Sequence, residues 1–262
     1  MPKESENFFE ELGRAAQLFF SAIWEGWLLF VNFLKVLPNI WFYRRQLREQ
    51  IYAFLVKTLP LTAMIAVFVG LGAMIQGKYQ SSALIPRTYV INVIFKSTIL
   101  ELCPIILSLV LAGRLGASLA AELGSMKISE QVEALETMSL DPVGFLVMPR
   151  VIAGMTMLPV LAIFANFLAM FSVFFIATVA TDWISAKEFV IGLQMNFRSF
   201  ELYFGNLIKP AVNGFFIALI GSYFGLKTHG GALGVGRSST NAVVVSALLI
   251  VFFDYYLARL LL

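Results

Sequence analysis

The chain has 262 residues, 59% of them hydrophobic and only 13% charged, with a formal net charge of +3. Soluble domains carry about 25% charged residues, so the depletion excludes a water-soluble enzyme. So small a charge excess gives no case for a nucleic-acid partner and reads instead as Lys and Arg anchoring span ends against headgroups. The single cysteine, Cys103, and single histidine, His229, allow no intrachain disulfide and no Cys- or His-rich metal site.

The N-terminus opens on Pro2, Lys3, Glu4 and Glu6, which lacks the basic region of a cleaved signal peptide. From Phe8 to Leu37 the chain is apolar enough to suggest a span. However, Glu11, Arg14, Ser21, Glu25, Asn32 and Lys35 recur at steps that place them on one helix face. Phe19, Phe20, Trp24 and Trp27 supply apolar, interface-seeking surface elsewhere. The pattern predicts a helix lying in the membrane surface, because Glu25 at mid-bilayer would cost about 3 kcal/mol.

Arg44, Arg45, Arg48 and Lys57 follow and mark a cytoplasmic side. Residues 1–50 are therefore expected to form an interfacial helix and a basic segment, and 51–262 the membrane domain. Five spans are predicted, near Thr58 to Ile75, Val90 to Leu111, Val151 to Thr181, Leu207 to Leu226 and Thr240 to Leu260, since about 20 apolar residues cross a bilayer. The fold class is all-α. Segments 112–150 and 227–239 then face the cytoplasm, and 76–89 and 182–206 face outward.

Between spans two and three the charge density rises. Ile128, Val132, Leu135 and Met138 fall at helical spacing, with Glu130, Glu133 and Glu136 off that stripe. Ser129 reads as an N-cap and Asp141-Pro142 as a stop. A short amphipathic cytoplasmic helix results, one that a soluble partner can grip. Inside span two, Glu101 is an intramembrane carboxylate, costly unless it faces a cavity or a partner. It either lines such a cavity or lies near the span end and pairs with Lys96. Pro104, three residues on, loosens the helix. Asp254 in span five is expected to pair with Arg259 or to be interfacial.

The run Gly231-Ala232-Leu233-Gly234-Val235-Gly236-Arg237-Ser238 is one residue from a phosphate-binding loop, with Arg237 where lysine belongs. A P-loop must leave a buried strand and open a helix of an α/β domain. Here the run follows a span, so it reads as a flexible connector. No ATPase is expected in this chain, nor any catalytic constellation or cofactor.

From about Phe54 onward the sequence resembles the MlaE-type permeases, the membrane subunits of lipid-transporting ABC systems that work with MCE-domain proteins. The resemblance is carried by Glu101-Leu102 with Pro104, by Ala112-Gly113-Arg114 with Gly116, and by Ala121-Glu122-Leu123-Gly124 with Met126. Glu130-Gln131, Ala134-Leu135-Glu136, Asp141-Pro142 and Pro149-Arg150 complete it. It implies an interfacial helix and five spans in a homodimer. ATP is hydrolysed by a partner subunit, and lipid passes between a cavity and an MCE protein at a bacterial inner membrane, or less readily a chloroplast inner envelope. The family's coupling helix falls on Ser125 to Met138, with Glu122, Lys127, Glu130, Glu133 and Glu136 as the expected ATPase-coupling residues. Its cavity glutamate falls on Glu101, with Leu102 beside it for lipid. Where the family often has arginine before this glutamate and glycine two after it, the chain has Leu100 and Cys103. The expected function is the permease half of a phospholipid transporter, and the alternative is a membrane scaffold that recruits a cytoplasmic protein without transport.

Overall fold

The computed structural model describes residues 2–82 and 84–261, and their side chains except those of 2–12, 14–16, 18, 19 and 261. Among the described residues every regular element is helical. We number them α1 (Pro2–Val36), α2 (Arg44–Leu55), α3 (Leu59–Gln80), α4 (Arg87–Ile128), α5 (Gln131–Thr137), α6 (Val143–Ala180), α7 (Ala186–Gln194), α8 (Ser199–Leu226) and α9 (Gly231–Leu261). Six stretches are long and apolar enough to cross a membrane, α4, α6, α8 and α9 among them, with Phe20–Asn39 and Arg44–Gln80 at the N-terminal side. This is a multi-pass membrane protein.

The core forms where α4, α6, α8 and α9 meet. Leu107 and Leu111, Leu158 and Leu161, Ile217 and Ile250 are fully buried there. α8 runs between α4 and α6, and small residues let it approach both. A Cβ on Gly214 would sit 2.2 Å from the carbonyl oxygen of Gly154, so the α6–α8 crossing requires glycine. Polar pairs fix the register of α4 against α8, as Asn213 Nδ2 donates to Ser108 Oγ at 2.9 Å. A second cluster, Met74, Ile91, Ile94, Val173 and Phe189, seats α7 beside α4. There Asn92 Nδ2 donates to the carbonyls of Gly192 (3.1 Å) and Met195 (2.6 Å).

Prolines explain three of the five wide turns inside the long helices, and those at Ala112–Gly116 and Phe175–Ala180 have no proline after them. Single wide turns occupy Thr98–Leu102, Val143–Val147 and Phe204–Ile208. Each lies immediately before Pro104, Pro149 or Pro210. A proline has no N–H and its ring crowds the carbonyl four residues back, so the helix widens by one residue ahead of it instead of breaking.

Several expectations are corrected. The helix that carries span two does not end at Leu111. α4 continues to Ile128, about 63 Å at 1.5 Å per residue, and Leu115, Leu119, Ala120 and Leu123 bury one face of the extension against α8 and α9. The opposite face carries the charges that make this stretch read as a water-exposed linker. Ser129 does not cap a following helix. It lies past the C-terminus of α4, with its Oγ donating to the Ser125 carbonyl at 2.8 Å. The chain turns at Glu130, whose φ of 59° is left-handed, so the expected 125–138 helix is two helices. Of the predicted apolar stripe, Val132 is buried and Leu135 packs partly against Leu123 and Leu146, whereas Ile128 and Met138 are exposed. The glycine-rich run 231–238 is no connector. It forms the first turns of α9, nine residues before the predicted start at Thr240.

For α1, Glu11, Arg14 and Phe19 lie outside the described side chains. From Glu25 onward its contacts are defined. Glu25 pairs with Lys227 and accepts a hydrogen bond from Tyr223 Oη at 3.3 Å. Phe30 packs edge-on against Phe215, with ring centroids 5.6 Å apart, and Val36 and Tyr43 close over Gly144. Trp24 and Trp27 are exposed.

Candidate functional site

Three charges from three helices converge inside the apolar bundle. Lys209, the first residue of α8 after the Phe204–Ile208 wide turn, has a fully buried side chain. Its Nζ lies 2.7 Å from Glu101 Oε1 and 3.3 Å from Asp254 Oδ1. The Asp254 contact is an ion pair by distance, without hydrogen-bond geometry. Lys209 Nζ also donates to the Leu100 carbonyl at 3.0 Å.

That last bond follows from the local sequence. Leu100 is four residues before Pro104, so its carbonyl is the one that proline deprives of its helical partner. A buried unpaired carbonyl costs about 1–3 kcal/mol, and the Lys209 ammonium satisfies it. Close approach makes this possible. A Cβ on Gly205 would come within 2.5 Å of the Ile99 carbonyl oxygen, so the glycine lets α8 lie against the widened turn of α4 that carries Glu101.

The three charges differ in access to water. The Asp254 side chain is 7% exposed and that of Glu101 40%. Lys209 and Asp254 are thus a buried anchor, and Glu101 presents part of a carboxylate outward. Asp254 pairs with neither Arg259 nor the interface. Arg259 lies five residues on, off the α-helical pairing distances of three and four, and Lys209 faces Asp254 across the bundle. Lys96 is not the partner of Glu101 either, since it binds Glu201 on α8 at 3.0 Å.

Next to Glu101 in sequence, Leu102 lines an open apolar groove of about 750 Å³ between α3 and α4. Met64, Phe68, Ile94 and Ile106 form its walls, with Gln76, Gln80 and Ser97 as polar groups. The wide turn brings Glu101 to the charged cluster and Leu102 to the groove.

The expected coupling residues do not act alike. Glu122 Oε1 accepts from Arg150 Nη2 at 2.7 Å, and Arg150, 5% exposed at its side chain, also donates to the Leu146 carbonyl at 2.6 Å. Lys127 pairs with Glu133, whose carboxyl this hydrogen bond holds below the usual carboxylate range. These four residues brace α4, α5 and α6. Glu130 and Glu136 are exposed, with no ion pair among the described residues. No group of three or more His, Cys, Asp or Glu able to hold a metal occurs among the described residues.

The model of the family described as Permease MlaE matches residues 47–260. The chain belongs to the MlaE permease family. It is 35% identical over 206 residues to a probable ABC transporter permease protein of Rickettsia typhi, covering 78% of each chain. A probable ABC transporter permease protein of Synechocystis is 36% identical over 218 residues, 83% of this chain and 82% of the relative. The chloroplastic protein TRIGALACTOSYLDIACYLGLYCEROL 1 of Arabidopsis thaliana is 34% identical over 202 residues, 77% of this chain and 57% of that one. MlaE permeases are ABC transporter subunits, which implies a separate ATPase partner.

Proposed function

We propose that this MlaE permease moves phospholipid between the membrane and an MCE-domain partner, as a homodimer in a bacterial cytoplasmic membrane. The observation that carries the reading is the joined pair of features at the wide turn of α4, where the Glu101–Lys209–Asp254 cluster adjoins the α3–α4 groove. A groove lined by Leu102, Phe68 and Ile106 suits acyl chains. The half-exposed Glu101, backed by a buried ammonium, offers polar contact to a headgroup without stranding a bare charge in hydrocarbon.

Coupling to the ATPase falls to the exposed surface at the α4–α5 turn. Glu130 and Glu136 are available to a partner, while Glu122, Lys127 and Glu133 hold the turn to the bundle. The contacts of Glu25, Phe30 and Val36 in α1 lie at the end of the bundle shared by Gly144 and Lys227 and at Phe215. That supports an interfacial helix on the cytoplasmic side, with α7 and the 182–206 segment facing outward.

The test is lipid occupancy. Phospholipid extracted from the purified protein should be present in wild type and reduced in Leu102→Trp, which fills the groove from its wall. A purified protein without phospholipid, or unchanged retention in the variant, rejects the cavity and leaves a scaffold that recruits a cytoplasmic protein.

A further inference from the structure

A second groove lies on the opposite side of α4 and shares no lining residue with the first. It runs between α4, α6 and α8, measures about 580 Å³ and is walled by Ile99, Ile163, Phe167, Phe197, Leu202 and Leu207. Two features distinguish it from ordinary bilayer-facing surface. The first is its mouth, which opens into a polar hollow lined by Lys96, Asn196, Arg198 and Glu201. Phe197 borders both spaces. Lys96 and Glu201 neutralise one another at 3.0 Å, and Arg198 is exposed with no ion pair among the described residues. The mouth therefore keeps one unbalanced positive charge.

The second is Asn166 in the groove wall. The residue is 5% exposed. Its Nδ2 donates to Asn206 Oδ1 at 2.7 Å, and Asn206 Nδ2 donates to the Leu202 carbonyl at 3.0 Å. Asn166 Oδ1 is left without a partner. Hydrocarbon cannot satisfy that acceptor, and a buried unmet acceptor is costly. Asn206 lies eight residues after Arg198, the residue that precedes α8, about 12 Å along the helix. A polar group with a donor, or a water carried beside an ester, would meet Asn166 at that depth below a charge held at the mouth.

We infer that the α4–α6–α8 groove is a second lipid site, which holds an anionic phospholipid with its phosphate at Arg198 and an acyl chain along Ile163, Phe167 and Leu207. The site does not depend on transport through the Glu101 cluster. A guanidinium is suited to bidentate phosphate binding, and apolar walls below a cationic rim match the order of groups in a phospholipid.

The experiment uses the full chain in nanodiscs of phosphatidylcholine containing a small fraction of phosphatidylglycerol with a diazirine in its acyl chain. Irradiation and peptide mapping should place adducts on Phe167, Leu202 and Leu207 at several times the level on Val244 and Leu248, exposed residues of α9. Diazirine phosphatidylcholine should lose that preference. So should Arg198→Glu, an exposed change that leaves folding intact, and Ile163→Trp, which fills the groove. Inorganic phosphate in excess should leave the labelling unchanged. Equal labelling of groove and α9, no headgroup preference, or retention in Arg198→Glu would overturn the assignment. Displacement by inorganic phosphate would mean a free-anion site. Replacement of lipid adducts by crosslinks to a co-purifying protein would mean that a partner helix fills the groove. Either result rejects the lipid.

Discussion

Replacing Lys209 with methionine keeps the side-chain length and removes the positive charge between two carboxylates. The separations are 2.7 Å to Glu101 and 3.3 Å to Asp254. At an effective dielectric constant of about 20 these attractions are worth about 6 and about 5 kcal/mol before desolvation. Dehydrating the three groups and the repulsion between the carboxylates offset much of that. Removing one member of a buried pair costs about 3–5 kcal/mol, because the remaining charge is stranded. The loss should concentrate on Asp254, since Glu101 can recover water through its exposed side. Lys209→Met should therefore unfold far more readily in a detergent thermal melt. Adding Asp254→Asn should restore most of the loss, leaving a deficit of about 1–3 kcal/mol from the unsatisfied Leu100 carbonyl. A single variant that melts with the wild type, or a double variant no better than the single, would refute the account of the cluster.

The same reasoning extends to other positions. Glu122→Ala leaves the buried Arg150 without its carboxylate and should destabilise by about 3–5 kcal/mol, whereas Glu136→Ala should stay within about 0.5 kcal/mol. Both are read by thermal melt. Gly214→Leu drives a Cβ and a side chain into the Gly154 carbonyl, so it should lower the melt by more than the about 1–3 kcal/mol typical of overpacking and reduce monodisperse yield. Lys127 depresses the folded-state Glu133 carboxyl below its ordinary value of 4.5. That pairing favours the folded state at neutral pH and is lost as pH falls from 4.5 through the lower folded-state value. Glu133→Gln should therefore shrink the difference in stability between about pH 7 and about pH 4, measured by melts across pH.

The membrane spans were legible because long uncharged runs are a strong signal, and each of the five predicted spans coincides with an observed helix, two of them overrunning it by one residue at Thr58 and Thr181. Their ends were not. The stretch from Ala112 to Ile128 alternates charge with small and apolar residues, and only the tertiary packing on α8 and α9 shows that one face is buried. Gly231, Gly234 and Gly236 suggested a connector by propensity alone, yet those positions are helical. Glu101 was recognisable as an intramembrane carboxylate, and Leu102 as its neighbour. Lys209 was missed, although a lone lysine beside Pro210 in an apolar run carried the same signal. Three intramembrane charges of mixed sign imply pairing, but which partner each takes depends on the α8 register that Gly205 permits. Glu122 and Glu133 were expected as coupling residues through the resemblance to the family's coupling helix. Their basic partners, Arg150 and Lys127, become evident only when the helices are assembled.

The proposed role of Glu101 in lipid passage is separable from the fold, because Lys209 keeps Asp254 as its buried partner. ATP-dependent transfer of labelled phospholipid should be measured with the permease and its ATPase reconstituted in proteoliposomes, comparing wild type with Glu101→Ala. The variant should fold, bind the ATPase and hydrolyse ATP in detergent, but transfer at least several-fold less lipid. Transfer at the wild-type rate by a variant confirmed to lack the carboxylate would mean that Glu101 has no part in lipid passage.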